Sequence, residues 1–149
     1  MKFTTTAIVT TLLTLTTALP TSSNLPTTFN IQAFSLFKPA SGNSNPPSIS
    51  FKYSDLTTNA TSSCDFKGNT TANTFYPCTN PAVGFAWDGN QSTLTLQENI
   101  PPTTVMFGDL GMALNCYPIE PPVPMGYGTL CQNVGGTLTG QFTRAISRR

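Results

Sequence analysis

Apolar side chains recur at every second position in short runs along this chain, and hardly any stretch repeats with the helical period of about 3.6. A strand with one buried face shows a period of two, because successive side chains point to opposite faces of a sheet. The inward side chains predicted in this way, run by run, are Ile49, Phe51 and Tyr53; Val83, Phe85 and Trp87; Leu94 and Leu96; Leu110, Met112, Leu114 and Cys116; and Leu138 and Phe142. The pattern therefore indicates an all-β protein.

The first predicted strand, FNIQAFSLF, changes phase along its length. Phe29, Ile31 and Ala33 share one face. Phe34 and Leu36 then continue the apolar pattern one residue out of step. An extra residue of this kind in one strand of an antiparallel pair is a β-bulge, so we expect a bulge here.

Turn-forming residues separate the runs. The 13 prolines lie mostly in connections, such as Pro46-Pro47, Pro101-Pro102 and residues 121–124, because proline inside a central strand removes a ladder hydrogen bond. The sequence Asp-Gly-Asn-Gln at 88–91 predicts a hairpin turn. With no internal repeat and no linker, we expect one compact antiparallel β-barrel or sandwich of about eight to eleven short strands.

The first 18 residues predict a secretory signal peptide. Lys2 supplies a positive start, an apolar run extends from Ala7 to Leu15, and the small residue Ala18 precedes the expected cleavage site. The run is too short and too rich in threonine to span a hydrocarbon layer of about 30 Å. We therefore expect residues 19–149 to form one secreted, extracellular domain without a membrane anchor.

Charged side chains are sparse and balanced. They make up 9% of the chain, and seven basic residues against six acidic ones give a formal net charge of +1. This composition offers no electrostatic basis for binding nucleic acid or an anionic membrane. Three N-glycan acceptor triplets begin at Asn59, Asn69 and Asn90, and we expect at least one of them to carry a glycan.

Cys64, Cys78, Cys116 and Cys131 are the only cysteines in the sequence. In an exported chain an even number indicates disulfides, and four cysteines allow three pairings. The local pairing, 64 with 78 and 116 with 131, is favoured because each pair brackets a strand–loop–strand unit, although loop entropy alone does not decide. A zinc site is not indicated, since C-x-x-C spacing and histidine are both absent from the sequence.

The candidates for catalysis are few. Without histidine, Ser-His-Asp and Cys-His arrangements cannot be assembled, and paired cysteines leave no thiolate. The remaining candidates are the carboxylates Asp55, Asp65, Asp88, Glu98, Asp109 and Glu120. Two of them about 5 to 9 Å apart could hydrolyse a glycosidic bond, but none lies in a recognisable acid–base motif. Turn formation and surface solubility are the favoured interpretation, so we expect no enzymatic activity, cofactor or metal site.

The second cysteine pair brackets CYPIEPPVPMGYGTLC, in which four apolar side chains lie among prolines and glycines: Ile119, Val123, Met125 and Tyr127. A stiff, covalently closed loop of this kind can present a contact surface at low ordering cost, which makes it a possible binding loop. In the alternative interpretation, which is the favoured one, these side chains cap one end of the barrel.

Several segments occur in an order that is similar to a known family: FNIQAFSLFKP, SISFKYSD, SSCDF followed by FYPC, VGFAWDGNQSTLTLQ, LNCYP and LCQNVGGTLTGQFT. Over roughly residues 29–146 the chain resembles the Alternaria alternata major-allergen family of small secreted fungal β-barrel proteins. The likeness rests on the order and spacing of the cysteines and on the hairpin around Trp87 and Asp88, and on no catalytic motif.

This resemblance implies a compact antiparallel β-barrel with the bridges Cys64–Cys78 and Cys116–Cys131, in an extracellular fungal protein without known enzymatic activity. Members of the family act as allergens, as elicitors of plant defence and as effectors that meet host defence proteins, and some are proposed to bind small phenolic ligands. The best-known member is a dimer linked through an additional cysteine near the mature N-terminus. Residues 19–38 contain no cysteine, so we expect a monomer here.

We therefore expect a non-enzymatic secreted effector or elicitor that binds a plant apoplastic protein. The first alternative is a barrel that binds a small apolar or phenolic ligand at a mouth lined by Phe34, Phe85 or Tyr127. The second is a glycan-directed hydrolase that uses a pair of carboxylates.

Overall fold

The computed structural model describes residues 25–147, which form eleven strands in two antiparallel sheets. The strands are β1 (Thr28–Pro39), β2 (Ser48–Asp55), β3 (Thr61–Lys67), β4 (Tyr76–Pro77), β5 (Val83–Asp88), β6 (Thr93–Ile100), β7 (Thr104–Gly111), β8 (Leu114–Ile119), β9 (Gly128–Asn133), β10 (Thr137–Gln141) and β11 (Arg144–Ser147). This confirms the predicted all-β class and number of strands. The expected signal peptide lies outside the described residues. Over residues 25–147 no helix is long and apolar enough to cross a membrane.

The first sheet is organised around β1. Strand β2 pairs along one side of β1, while β10 and β9 pair with its successive halves on the other side. Strands β3 and β8 lie at the two ends of this sheet, and β10 pairs with β1 alone. The second sheet has the order β11-β7-β6-β5-β4. Strand β10 belongs to the first sheet and the next strand, β11, belongs to the second. The connection between them therefore joins the two sheets and partly closes the barrel.

The bulge predicted in β1 is confirmed. The register between β1 and β2 shifts between Gln32 and Ser35, and Ala33 has a left-handed φ of 52°. Ala33 is exposed, so the expectation that it points inward is wrong. It is the extra residue that returns Phe34 and Leu36 to the core. The bulge also separates the half of β1 that pairs with β10 from the half that pairs with β9.

The interior between the sheets is filled by aromatic and aliphatic side chains. All eight inward residues predicted for β2, β5 and β6 are buried, namely Ile49, Phe51, Tyr53, Val83, Phe85, Trp87, Leu94 and Leu96. The Phe34 ring lies 5.4 Å from that of Trp87 between centroids, and Phe51 lies 5.0 Å from Phe85. Each such aromatic pair stabilises the fold by about 0.5–1.5 kcal/mol beyond the effect of the buried area. The short distances between the rings show that the interior is a packed core.

Two of the predicted strands are divided in the structure. The run that ends at Cys116 contains a break, since β7 ends at Gly111 and β8 begins at Leu114. The last run likewise divides into β10 and β11. In both cases the chain changes sheets at the break, which a period-two pattern cannot reveal. Cys116 is exposed and not inward as expected, whereas Leu138 and Phe142 pack against the core as predicted.

Both favoured disulfides are formed, with Cα–Cα distances of 4.2 Å for Cys64–Cys78 and 4.0 Å for Cys116–Cys131. The first joins β3 to the residue that follows β4, and both of its cysteines belong to the hydrophobic core. The second joins directly opposed residues of β8 and β9. The first bridge thus lies wholly in the core, while the second holds together a hairpin at the sheet edge, with Cys131 in the core and Cys116 exposed.

Candidate functional site

The connection between β8 and β9, residues 120–127, is here named the recognition loop. It lies against residues 40–45 of the connection between β1 and β2, and this segment is named the clamp loop. The Cys116–Cys131 bridge joins β8 to β9 within the hairpin, outside the recognition loop itself. The covalent bond therefore fixes the two strands, and the path of the loop itself is left to non-covalent contacts.

Hydrogen bonds from the clamp loop fix the backbone of the recognition loop. The side-chain nitrogen of Asn43 donates to the carbonyl oxygens of Met125 and Tyr127, at 2.8 and 2.6 Å. The side-chain nitrogen of Asn45 donates to the Met125 carbonyl at 3.0 Å, and the Ala40 N–H donates to the Tyr127 carbonyl at 3.1 Å. Because every acceptor is a backbone carbonyl, the clamp leaves the side chains of the recognition loop free.

Two turns inside the recognition loop complete its shape. The Val123 N–H donates to the Glu120 carbonyl at 3.3 Å, and the Gly126 N–H donates to the Val123 carbonyl at 2.8 Å. Gly126 has a left-handed φ of +73°, and a Cβ atom there would lie 3.1 Å from the side-chain nitrogen of Asn43. Glycine is therefore required both for the backbone conformation and for the close approach of the clamp loop.

The four apolar side chains singled out for this loop fall into two groups. Ile119 is buried and Met125 is half-buried, which is the capping arrangement. Val123 and Tyr127 point outward, with exposed fractions of 37% and 57%. A depression of about 460 Å³ beside Tyr127 is lined by both loops. The recognition loop thus combines a fixed backbone with two exposed apolar side chains.

Analysis of the sequence did not identify the clamp residues Asn43 and Asn45. They lie in the polar segment SGNSNPP, which has the composition of an ordinary loop. The carbonyl groups that Asn43 binds are 82 and 84 residues away along the chain. No local pattern signals a contact at that separation.

The aromatic side chains expected at a ligand-binding mouth do not come together, and that expectation is wrong. Phe34 and Phe85 are 1% and 0% exposed, because their rings fill the space between the sheets. Tyr127 lies on the recognition loop instead. An open cleft of about 400 Å³ exists elsewhere, next to the tryptophan, and is lined by Leu36, Pro39, Pro47, Ile49, Asn69 and Trp87 among others. It is named the Trp87 cleft.

The three glycan acceptor asparagines are all exposed. Asn59 lies in the connection between β2 and β3 with a φ of 58°. Asn90 lies in the β5–β6 turn, where its N–H donates to an Asp88 carboxylate oxygen at 2.9 Å. Asn69 follows β3 and lines the Trp87 cleft. The acceptor sites therefore differ in their surroundings, and only Asn69 of the three lines this cleft.

Glu98 is a carboxylate at a core position, because it follows Leu94 and Leu96 on the inward face of β6. Its Oε2 atom accepts a hydrogen bond from the Tyr53 hydroxyl. Burial raises the pKa of Glu98 above the ordinary value of 4.5, the hydrogen bond from Tyr53 opposes this rise, and the nearby carboxylate of Asp55 adds to it. Burial and the hydrogen bond to Glu98 likewise raise the pKa of Tyr53 above its usual range.

The cluster of Tyr53, Asp55 and Glu98 is shielded from solvent. Strongly shifted pKa values often mark active sites, but a substrate must also reach them. Tyr53, Asp55 and Glu98 are 2%, 1% and 4% exposed. Asp55 is further committed to the turn after β2, where it accepts hydrogen bonds from the N–H groups of Thr57 and Thr58 at 2.7 and 3.2 Å.

Replacing Glu98 with glutamine is expected to remove part of the pH dependence of stability. Because the pKa of Glu98 is raised on folding, its stabilising contribution is complete below about pH 4.5 and is lost as the pH rises through the folded pKa. The Glu98→Gln variant keeps an acceptor for Tyr53 but cannot ionise. Relative to wild type, its free energy of unfolding should therefore increase as the pH rises above about 4.5, where Glu98 of the wild-type protein begins to ionise. Urea unfolding of both proteins tests this, and a difference that is constant with pH would contradict it.

Other candidate carboxylates also have structural partners. Asp88 accepts hydrogen bonds in the β5–β6 turn from the N–H groups of Asn90 and Gln91, which confirms the predicted hairpin. Asp109 accepts a hydrogen bond of 2.7 Å from the Thr95 hydroxyl on the neighbouring strand. In the part of the chain that the structure describes, no three histidine, cysteine, aspartate or glutamate side chains form a group that could hold a metal ion.

Comparison with solved structures finds the same fold in a fungal allergen. A crystal structure of the Alternaria alternata major allergen Alt a 1 matches with a TM-score of 0.62 and 15% sequence identity, covering 82% of this chain and 96% of that chain. A second crystal structure of Alt a 1 matches with a TM-score of 0.60 and 16% identity, covering 87% and 95%. No family model matches the sequence, and no curated protein is similar to it. The fold implied by the resemblance is thereby confirmed.

Proposed function

We propose that this protein is a secreted, non-enzymatic effector or elicitor that acts by binding an extracellular protein of a host plant. The observation that carries the proposal is the recognition loop, whose backbone is fixed by the clamp loop while Val123 and Tyr127 face solvent. A loop that is ordered before binding loses little conformational entropy in the complex. Tyrosine is also enriched among the residues that dominate protein interfaces, so Tyr127 is the expected anchor.

An extracellular location is supported by the two disulfides. Structural disulfides persist in oxidising compartments and are rare in the cytosol. The predicted signal peptide at residues 1–18 agrees with this location. The shared fold with Alt a 1, which is named an allergen and not an enzyme, fits the same proposal.

The two alternatives have less support from the geometry. A glycan-directed hydrolase needs two carboxyl groups at an open cleft, yet the mutually interacting pair Asp55 and Glu98 is buried. A carrier of phenolic ligands needs an open pocket lined by accessible aromatic rings, yet Phe34 and Phe85 fill the core, and Trp87 is only 3% exposed at the Trp87 cleft. Binding through the recognition loop does not require these buried side chains to become exposed.

Replacing Tyr127 with alanine is expected to weaken binding to the host partner by roughly 30-fold or more, the effect typical of an interface anchor. The partner is first isolated from apoplastic fluid with the wild-type protein, and its affinity for each variant is then measured by calorimetry. Asn43→Ala should weaken binding as well, because it releases the loop without altering Tyr127. Both variants should also reduce the response of infiltrated leaves.

Val134 provides the matched control for this experiment. It is 58% exposed, close to the 57% of Tyr127, but lies in the turn between β9 and β10. Val134→Ala should therefore bind like wild type. Equal losses in the Tyr127 and Val134 variants would refute the assignment to the recognition loop. If the protein at micromolar concentration bound no partner and produced no response in leaves, the proposed function itself would be refuted.

A further inference from the structure

We propose that Asn69 is N-glycosylated and that the first sugar of its glycan occupies the Trp87 cleft. In this arrangement the acetamido carbonyl of an N-acetylglucosamine accepts a hydrogen bond from the indole N–H of Trp87. The glycan then forms part of the folded structure, covering an opening between the β1–β2 and β5–β6 ends of the two sheets.

The position of Asn69 is the first observation. It begins the acceptor triplet Asn69-Thr70-Thr71, its side chain is exposed, and it lines the cleft itself. The Thr71 N–H donates to the Tyr76 hydroxyl at 2.9 Å, which holds the end of the triplet against β4. A sugar attached to the Asn69 amide therefore starts at the rim of the cleft.

The indole nitrogen of Trp87 is the second and independent observation. Trp87 is only 3% exposed, and a Cβ atom built on Gly89 would lie 3.4 Å from its nitrogen, so the absence of a side chain there leaves the N–H uncovered. Within residues 25–147 this N–H donates to no acceptor. Every fully buried side-chain nitrogen in that range has a hydrogen-bond partner, so the indole nitrogen is not fully buried. Trp87 and Gly89 both line the Trp87 cleft, so the accessible part of this donor lies at the cleft, beside Gly89.

The chemistry of the cleft suits an N-acetylated pyranose. Pro39, Pro47 and Leu36 supply apolar contacts for the C–H face and the methyl group of such a sugar, while Lys38 supplies a polar group for its hydroxyls. Each of these contacts is weak for a free sugar. Covalent attachment at Asn69 changes this, because a short tether corresponds to an effective concentration in the millimolar range.

The covalent step requires only a donor of known class. The side-chain nitrogen of Asn69 forms a bond to C1 of the first sugar of a lipid-pyrophosphate-linked oligosaccharide. The bond from C1 to the pyrophosphate oxygen breaks, the lipid pyrophosphate leaves with that electron pair, and the amide nitrogen loses one proton. No oxidation or reduction occurs, and the predicted signal peptide would bring the chain to this donor in the secretory pathway.

Asn59 is the matched control site. It is an exposed asparagine in a second acceptor triplet, but it lies beyond the opposite end of β2 from Ser48, which lines the cleft. The eight residues of β2 separate the two ends by roughly 25 Å at the usual rise per residue. A glycan on Asn59 therefore cannot reach Trp87 with its first sugar.

The experiment uses the full chain secreted from a yeast host, with Asn69→Gln, Thr71→Ala and Asn59→Gln variants. Treatment with an endoglycosidase that leaves one N-acetylglucosamine per site reduces each glycan to the sugar in question. Intact mass and peptide mapping then report which sites are occupied. Because Trp87 is the only tryptophan, its fluorescence and its indole proton in NMR spectra report directly on the cleft.

The expected result is a single sugar on Asn69 that shifts the Trp87 emission and slows exchange of the indole proton at least tenfold. Asn69→Gln and Thr71→Ala should abolish both effects, and Asn59→Gln should change neither. An unmodified Asn69 in the secreted protein would overturn the proposal. So would a modified Asn69 whose Trp87 signals equal those of the Asn69→Gln variant.

Discussion

Phe29→Ala is expected to lower the free energy of unfolding by about 3–5 kcal/mol, the cost typical of deleting a buried aromatic ring. The Phe29 side chain is fully buried and contacts both sheets. Its ring packs over Gly140, its partner on β10, and against Gly108 on β7, and it lies 4.9 Å from the Phe142 ring between centroids. Removing it leaves a cavity at the place where the chain joins the two sheets.

Gly140 makes this prediction specific to the packing. A Cβ atom on Gly140 would overlap the Phe29 ring, so Gly140→Ala alone should cost about 1–3 kcal/mol through overpacking. In the Phe29→Ala background the same methyl group enters the empty space, and its effect should become neutral or stabilising. Urea unfolding of the four proteins gives the coupling energy. Additive effects of the two substitutions would show that the ring and the glycine are not packed as described.

Removing the Cys64–Cys78 bridge, as the Cys64→Ala, Cys78→Ala protein, is expected to cost at least about 3 kcal/mol. The chain-entropy effect of a loop of this length accounts for that amount, and the loss of buried sulfur contacts adds to it. For a domain of this size the melting temperature should fall by on the order of 10 °C. Hydrogen exchange should also become faster at Tyr76 in β4, since the bridge fastens that short edge strand.

The Cys116–Cys131 bridge provides the internal control. The sequence separations of the two bridges are 14 and 15, so the chain-entropy contributions are nearly equal. Both cysteines of the first bridge are buried, whereas in the second bridge Cys131 is buried and Cys116 is exposed. Removing Cys116–Cys131 should therefore destabilise the protein less. It should also weaken the proposed binding to a host protein, because it loosens the hairpin that carries the recognition loop. Equal stability losses for the two double variants would contradict a contribution from burial.

Local alternation along the chain predicted the strands that are buried on one face. The side chains of β2 and β6 follow it without exception up to Glu98, where a carboxylate takes an inward position. The sequence did not predict this inward carboxylate, because its hydrogen-bond partner Tyr53 is 45 residues away. The pattern also failed where the chain passes from one sheet to the other, after Gly111 and after Gln141, because alternation continues across such a crossing.

The candidate site shows the same division. The sequence indicated the apolar loop between Cys116 and Cys131, but not which of its side chains face solvent. Only the folded chain, in which the recognition loop packs at one end of the barrel, buries Ile119 and leaves Tyr127 exposed. The clamp residue Asn43 was equally hidden, since only the folded chain brings it to its acceptors.

By itself, the sequence determined the all-β class, the bulge in the first strand and the hairpin at Asp88, and it favoured the local cysteine pairs, because each depends on contacts between residues close in the chain. Tertiary structure alone decided the sheet crossings, the clamp on the recognition loop, the buried Tyr53–Glu98 pair and the meeting of Asn69 with the Trp87 cleft. These features join residues that are far apart in sequence, so their geometry exists only after the two sheets have packed together.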